Sequence, residues 1–305
     1  MIQEYRHRNL LWIDVVAPTK EEALSLMDRF GLDPLIVEEL LSPTLKPKVD
    51  LYKEYIYLIL HFPAVRHSHK EARENQEIDF IVGKDFIITG RYDTIDPLHK
   101  FSKEFEVNSI LDRSQFGDHA GFIFFYMIRK LYKSVIHELD FLGDKLQEIE
   151  GRIFSGKEKE MVFELSKASR SLLIFKQAMR LHREVLESFD SAAKKFFGED
   201  FQYHLKSISG SYWRVMSLIE SKIDTLQELR ATNNSLLSTK ENEIMKTLAI
   251  VSFITFPLTL VATIFGMNAK DLPIIGQPGD FWIIMKVMLI FTGLVFSFFH
   301  HKNWI

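Results

Sequence analysis

Cysteine is absent from the 305 residues. That absence excludes disulfide frameworks, thiolate zinc centres and cysteine nucleophiles. There is no basic run, and 38 Lys and Arg against 41 Asp and Glu leave a net charge of −3, so the basic surface that a nucleic-acid partner needs is missing. The opening MIQEYRHRNLLWID lacks an apolar h-region and does not read as a signal peptide. Neither a glycine-rich phosphate loop nor a plausible Ser/His/Asp set occurs, so no enzyme and no resident cofactor is expected. With 47% apolar and 26% charged residues the chain is too polar for a polytopic membrane protein. It has room for one or two soluble domains and a small membrane part.

What the chain does contain is one long uncharged stretch, Leu248 to Met267. About 20 such residues cross a bilayer core of roughly 30 Å, so a transmembrane helix is expected at about 247–267. Steps of three and four back from Gly266 give Thr263, Thr259, Phe256, Ser252, Ala249, Met245 and Asn242, one helical face at heptad spacing. Two readings of such a face stand open: hydroxyls bonded back to their own helix or to close neighbours, and a wet pathway. Thr247 and Thr255 lie off it. A second span is expected at 281–299, with Trp282 and Trp304 at opposite interfaces and Lys286 snorkelling outward. It shows no polar stripe and reads as a peripheral, lipid-facing helix. Lys240 and Lys246 before the first span, and His300, His301 and Lys302 after the second, outweigh Lys270 against Asp271 and Asp280 in the connecting 269–280 loop. Both termini, including the 300–305 tail, are therefore expected in the cytoplasm.

Residues 1–115 suggest a compact α/β domain. Leu10 to Val16 suits a strand; Thr19 with Glu22 forms a capping box for a helix to Phe30, and Asp33-Pro34 opens a second helix through Leu41. Val49 to Phe62 alternates with apolar residues on both faces, which predicts one central strand. Gly83-Lys84-Asp85 marks a hairpin between Glu77–Val82 and Phe86–Thr89. His61, His67, His69, His99 and His119 are scattered without metal-ligand spacing. Residues 116–198 read as two long antiparallel helices, divided at Gly156 and ended by Gly198. After Ser207-Ile208-Ser209-Gly210, Tyr212 to Asn268 contains only one proline, Pro257, so the 199–268 region should hold one helix of about 57 residues, some 85 Å long. Traced back along this helix, the membrane face continues through Ser238, Ser235, Ala231, Glu228, Asp224, Ser221 and Ser217. That continuity in register favours a pathway over a merely solvated face.

Gly266-Met267-Asn268 at the exit of the first of two C-terminal spans, with Asn242 to Lys246 and Phe256-Pro257-Leu258-Thr259 before it, resembles the CorA family of divalent-cation transporters. The clear resemblance covers about Asp224 to Trp304. It implies a funnel-shaped homopentamer in the cell (inner) membrane, with an α+β cytoplasmic domain, long helices, the first span inside and the second outside. It also implies Gly266, Met267 and Asn268 as a selectivity filter. Asn242, Met245, Leu248, Ala249, Ser252, Phe256, Thr259 and Thr263 then line the pore. One polar-faced helix cannot enclose a pore, which itself demands several copies.

Magnesium, the expected cargo and a possible regulator, gives up its water reluctantly. Neutral amides and hydroxyls suit its passage with the inner water shell intact, Asn268 acting through that shell, while Met245, Leu248 and Phe256 would gate by dewetting. Cobalt and nickel are further candidates, zinc as in the ZntB branch is an alternative, and a tethered sensor or scaffold without transport is a third reading. The chain departs from the family pattern in several places, among them the usually strongly basic cytoplasmic end, here the softer His300-His301-Lys302. Phe265 replaces the tyrosine of most relatives, Lys270 offsets the acidic loop, and Ser207 and Ser209 occupy a region where some members sense magnesium. Asp224 and Glu228 remain as cytoplasmic cation sites.

Overall fold

The computed structural model describes residues 1–44, 46–63, 75–93, 95–110, 117–267, 274–276 and 278–302. They form two units, Met1–Arg230 and Ala231–Ile305. The first is built on a six-stranded sheet of β1 (Ile2–His7), β2 (Leu10–Val16), β3 (Lys48–Leu51), β4 (Tyr55–Pro63), β5 (Asn75–Gly83) and β6 (Phe86–Arg91), in the order β1-β2-β6-β5-β4-β3. β2 and β6 run parallel and every other pair is antiparallel. Because side chains alternate along a strand, Tyr55, Tyr57 and Ile59 join Ile13, Val15, Ile81 and Ile88 on one face. There α1 (Lys20–Phe30) and α2 (Pro34–Leu40) cover them with Leu26, Ile36 and Leu40. The capping box is present at Thr19 and Glu22, and Asp33 caps α2 ahead of Pro34.

The opposite face carries Trp12, Leu58, Phe62 and Phe80. It is covered by α3 (Asp96–Ile110), α4 (Ala120–Phe154), α5 (Glu158–Arg180) and α6 (His182–Phe197). Ring contacts define the join: Trp12 with Phe101 at 5.4 Å, Phe80 with Phe124 at 5.1 Å, and Phe62 with Tyr132 at 5.8 Å. Burial on both sides is why β4 lacks a polar face.

Four local readings are corrected. The expected single strand Val49–Phe62 is a hairpin, β3 and β4, turned at Lys53-Glu54, where the Tyr52 amide donates to the Tyr55 carbonyl at 2.9 Å. Nothing in Tyr-Lys-Glu-Tyr carries a glycine or proline turn signal, so the turn was hidden. β1 and α3 went unread: β1 carries only Ile2 and Tyr5 as apolar positions, whereas α3 has Leu98, Phe101 and Phe105 at helical spacing, a signal that was there to be found. The second long helix of 116–198 is two, α5 and α6, divided at Leu181. Finally, Ser207-Ile208-Ser209-Gly210 does not precede the long helix but lies within α7 (Gln202–Gly266). A helical glycine costs about 1 kcal/mol, while burying side chains such as Leu205, Ile208 and Tyr212 contributes roughly 1.5–3 kcal/mol each, so packing prevails.

The break at Leu181 delivers His182 into the core, where its Nε2–H donates to the His61 carbonyl at 2.8 Å and its Nδ1 accepts from the Tyr132 hydroxyl at 2.9 Å. Burial lowers its pKa from 6.5 to about 4, partly opposed by the bond to the His61 carbonyl. The unfolded chain therefore takes up a proton before the folded one does. Stability from this group is complete above about pH 6.5 and declines as pH falls towards 4, by up to about 3 kcal/mol. Thermal unfolding of the solubilised protein should show this decline, and His182→Gln should flatten it. An equal acid slope in the variant would exclude His182 as its source.

Asp79 of β5 is buried with neither carboxylate oxygen receiving a hydrogen bond. Burial, with Glu77 and Glu39 beside it, holds its pKa well above the ordinary carboxylate value.

Candidate functional site

The second unit contains the remainder of α7 and α8 (Asp280–His301). Both helices are long and apolar enough to cross a membrane. Their exposure is not uniform around the axis. On the membrane part of α7 the more covered positions include Ile250, Ile254, Pro257, Val261 and Phe265, with Leu258 beside them; on α8 they are Ile284, Met288, Thr292, Val295 and Phe299. Each set recurs at three and four residues, and Phe253 meets Phe299 with ring centroids 6.1 Å apart. Among the described residues of this unit the two helices are what can cover these sets, which are read as the seams by which they meet.

At about 100° per residue, Gly266, Thr263, Thr259, Phe256, Ser252 and Ala249 lie about half a turn from the α7 seam. All but Ala249, which is half-buried, are exposed, and Phe256 is 74% exposed. The candidate face is thus the side of α7 that its own chain leaves bare. Asn242, Met245 and Leu248 are exposed as well.

The same division holds for α7 within the first unit. Leu205, Ile208, Tyr212, Val215, Ile219, Leu226 and Leu229 are buried, while Ser217, Ser221, Asp224 and Glu228 are exposed on the other side. Asp224 and Glu228 stand one turn apart on that open face. Among the described residues no group of three or more His, Cys, Asp or Glu could hold a metal.

Hydroxyl geometry is ordered along the membrane segment. Thr255 donates to the Val251 carbonyl at 2.8 Å, Thr259 to Thr255 at 2.9 Å and Thr263 to Thr259 at 2.7 Å. Each proton is committed to the helix, so each oxygen presents only lone pairs outward. The backbone-bonded arrangement and a wet face are therefore compatible, because acceptors are what the outward-pointing hydrogens of a hydrated cation need. Pro257 lacks an N–H and sits on the seam rather than on the open face. A Cβ at Gly266 would meet nothing within 4 Å in the single chain.

Phe265 lies on the α8 seam, so its missing hydroxyl is not on the open face. Met267 is exposed. Asn268, Lys270, Asp271, His67, His69 and Trp304 lie outside the described residues. The two seams were not foreseen: a helix that is apolar all round carries no sequence signal for which side its partner takes.

The CorA-like Mg2+ transporter protein family matches residues 8–301. The chain belongs to that family. It is 22% identical over 296 residues to the cobalt/magnesium transport protein CorA of Thermotoga maritima, covering 96% of this chain and 83% of that one. The CorA magnesium transporter structure from Methanocaldococcus jannaschii superposes with a TM-score of 0.84 at 21% identity, over 97% of this chain and 92% of the other. The ZntB cytoplasmic domain from Vibrio parahaemolyticus superposes at 0.62 and 11% identity, over 75% of this chain and 88% of the other. The CorA-type fold is therefore shared, with its mixed α/β N-terminal domain, long helices and two apolar C-terminal helices. The family is one of membrane transporters for metal ions, not of enzymes.

Proposed function

We propose that this CorA-family chain assembles as a homopentamer that passes hydrated Mg2+ into the cell down its electrochemical gradient, with cobalt and nickel as secondary cargo. The observation that carries this reading is the division of α7. Its serine- and threonine-bearing face is bare along the helix, and in the second unit it lies opposite the seam taken by α8. Copies arranged around an axis would turn this face inward and place α8 outside, in contact with lipid. Family membership supports such an assembly, with a cytoplasmic funnel, both termini in the cytoplasm and the cell (inner) membrane as its site.

No carboxylate, histidine or thiol occurs from Leu248 to Met267, so nothing there would strip water from a hard cation or select a softer one. Gly266, Met267 and Asn268 form the outer filter, Asn268 accepting hydrogen bonds from the ion's water shell. Gly266 gives the ring its close backbone approach. Met245, Leu248 and Phe256 make the apolar constrictions, and Asp224 with Glu228 concentrates cations on the cytoplasmic side. A membrane potential of 100 mV contributes about 4.6 kcal/mol for a divalent ion, which makes ATP hydrolysis unnecessary.

Purified protein in liposomes, assayed against magnesium, cobalt, nickel and zinc, tests the cargo. Magnesium should give the largest flux, and mass measurement in detergent should give five copies. A preference for zinc would reassign the cargo. An assembled protein with no flux would leave the scaffold reading, and a conducting monomer would refute the oligomeric pore.

A further inference from the structure

Within the first unit, α3, α4 and the early part of α7 line an open cavity of about 540 Å3. Its charge is unbalanced. Arg129, Lys130 and Lys133 enter from α4 and Arg214 from α7, against the single lining carboxylate Glu104. Glu104 is already ion-paired with Lys130. Arg129 lies over the Phe125 ring at 5.3 Å, and among the described residues neither it nor Lys133 nor Arg214 pairs with a carboxylate. In a chain of net charge −3, three uncompensated cations around one concavity repel one another and focus a positive field into it.

The floor is of different chemistry. Phe101 and Tyr132 are buried there, and Tyr126 is half-exposed beside Arg129. A half-exposed tyrosine, backed by buried rings and set beside a cationic rim, fits a ligand with a planar apolar part and a highly anionic part, and the volume falls in the range of small-ligand sites, roughly 300–1,000 Å3. Two of the rim cations are arginines, whose planar forks match phosphate oxygens in pairs.

We propose that this cavity binds an organic polyphosphate of the nucleotide class. Its phosphates lie on Arg129, Lys133 and Arg214, and its ring lies against Tyr126. Because recognition rests on charge, the metal-free anion binds more tightly than its magnesium complex. A site of this kind reads how much of the anion carries metal.

The test is calorimetric titration of the full chain in detergent with adenosine triphosphate, its magnesium complex and inorganic tripolyphosphate. The free nucleotide should bind saturably, more tightly than either alternative, and more weakly as salt rises. Arg214→Ala and Lys133→Ala, both at exposed positions, should each weaken it roughly tenfold, whereas Lys176→Ala on α5 should not. No saturable binding at millimolar concentration, or losses no larger than that of Lys176→Ala, would overturn the site. Equal affinity for tripolyphosphate would overturn the nucleotide assignment, and equal affinity for the magnesium complex would overturn recognition by charge. A change in oligomeric mass on Lys133→Glu would instead make the cavity a contact between copies.

Discussion

Magnesium flux through Asn268→Ala protein is expected to fall to near background while assembly is unchanged. The proposed role of the amide is to accept hydrogen bonds from the water shell of the incoming ion, and a ring of copies presents several such acceptors together. Each hydrogen bond lost contributes about 0.5–1.5 kcal/mol, and each 1.4 kcal/mol added to a barrier slows passage about tenfold. Several lost at once are enough to remove measurable uptake. Alanine adds neither bulk nor charge and restricts the backbone little, so folding should not suffer. Liposome flux and detergent mass, measured on the same preparation, separate the two effects. A correctly assembled Asn268→Ala protein that conducts as the parent does would show that the amide is no filter.

The second large effect uses the absence of cysteine. Every thiol introduced into this chain is the only one per copy, so a water-soluble, charged thiol reagent reports one position at a time. The thiolate attacks the reagent, and it forms in water and not in lipid or within a packed seam. Ser252→Cys and Thr259→Cys stand on the open face of α7, whereas Ile254→Cys and Val261→Cys stand on the seam with α8. Modification of the first pair should block flux almost completely, because a bulky charge placed in a narrow pathway is repeated in every copy. The second pair should be unreactive and conduct as before modification. Equal reactivity of the two pairs, or block from the seam positions alone, would place the pathway elsewhere.

Local signals account for the elements legible from residues alone. Thr19 with Glu22 and Asp33 with Pro34 announced their helix starts, because caps satisfy backbone groups within a few residues. β4 was legible because burial on both faces leaves no polar alternation. The uncharged stretch from Leu248 to Met267 marked a span, since a charge in the bilayer core is costly wherever the helix lies. The heptad-spaced face from Ser217 to Gly266 was likewise plain, being a property of spacing.

Features set by contact were not legible. Ser207 to Gly210 looked like an interruption and became helix because Leu205, Ile208 and Tyr212 are buried around it. Lys53-Glu54 gave no turn signal, yet the chain reverses there so that β3 can pair with β4. Leu181 gave no helix-break signal, yet the helix divides there and His182 enters the core.

The sequence by itself determined that this chain has two spans, a mixed α/β domain, no thiol chemistry and a hydroxyl-bearing helical face. Composition and period establish these whatever the partners are. Only the tertiary structure decided which side of that helix is covered. Apolar residues occupy every side of the membrane part of α7 except the hydroxyl-bearing one, so spacing alone left the covered side open; it is the side of Ile250, Ile254, Val261 and Phe265. Tertiary structure likewise gathered Arg129, Lys133 and Arg214, which lie on two helices about 80 residues apart in sequence, around one cavity.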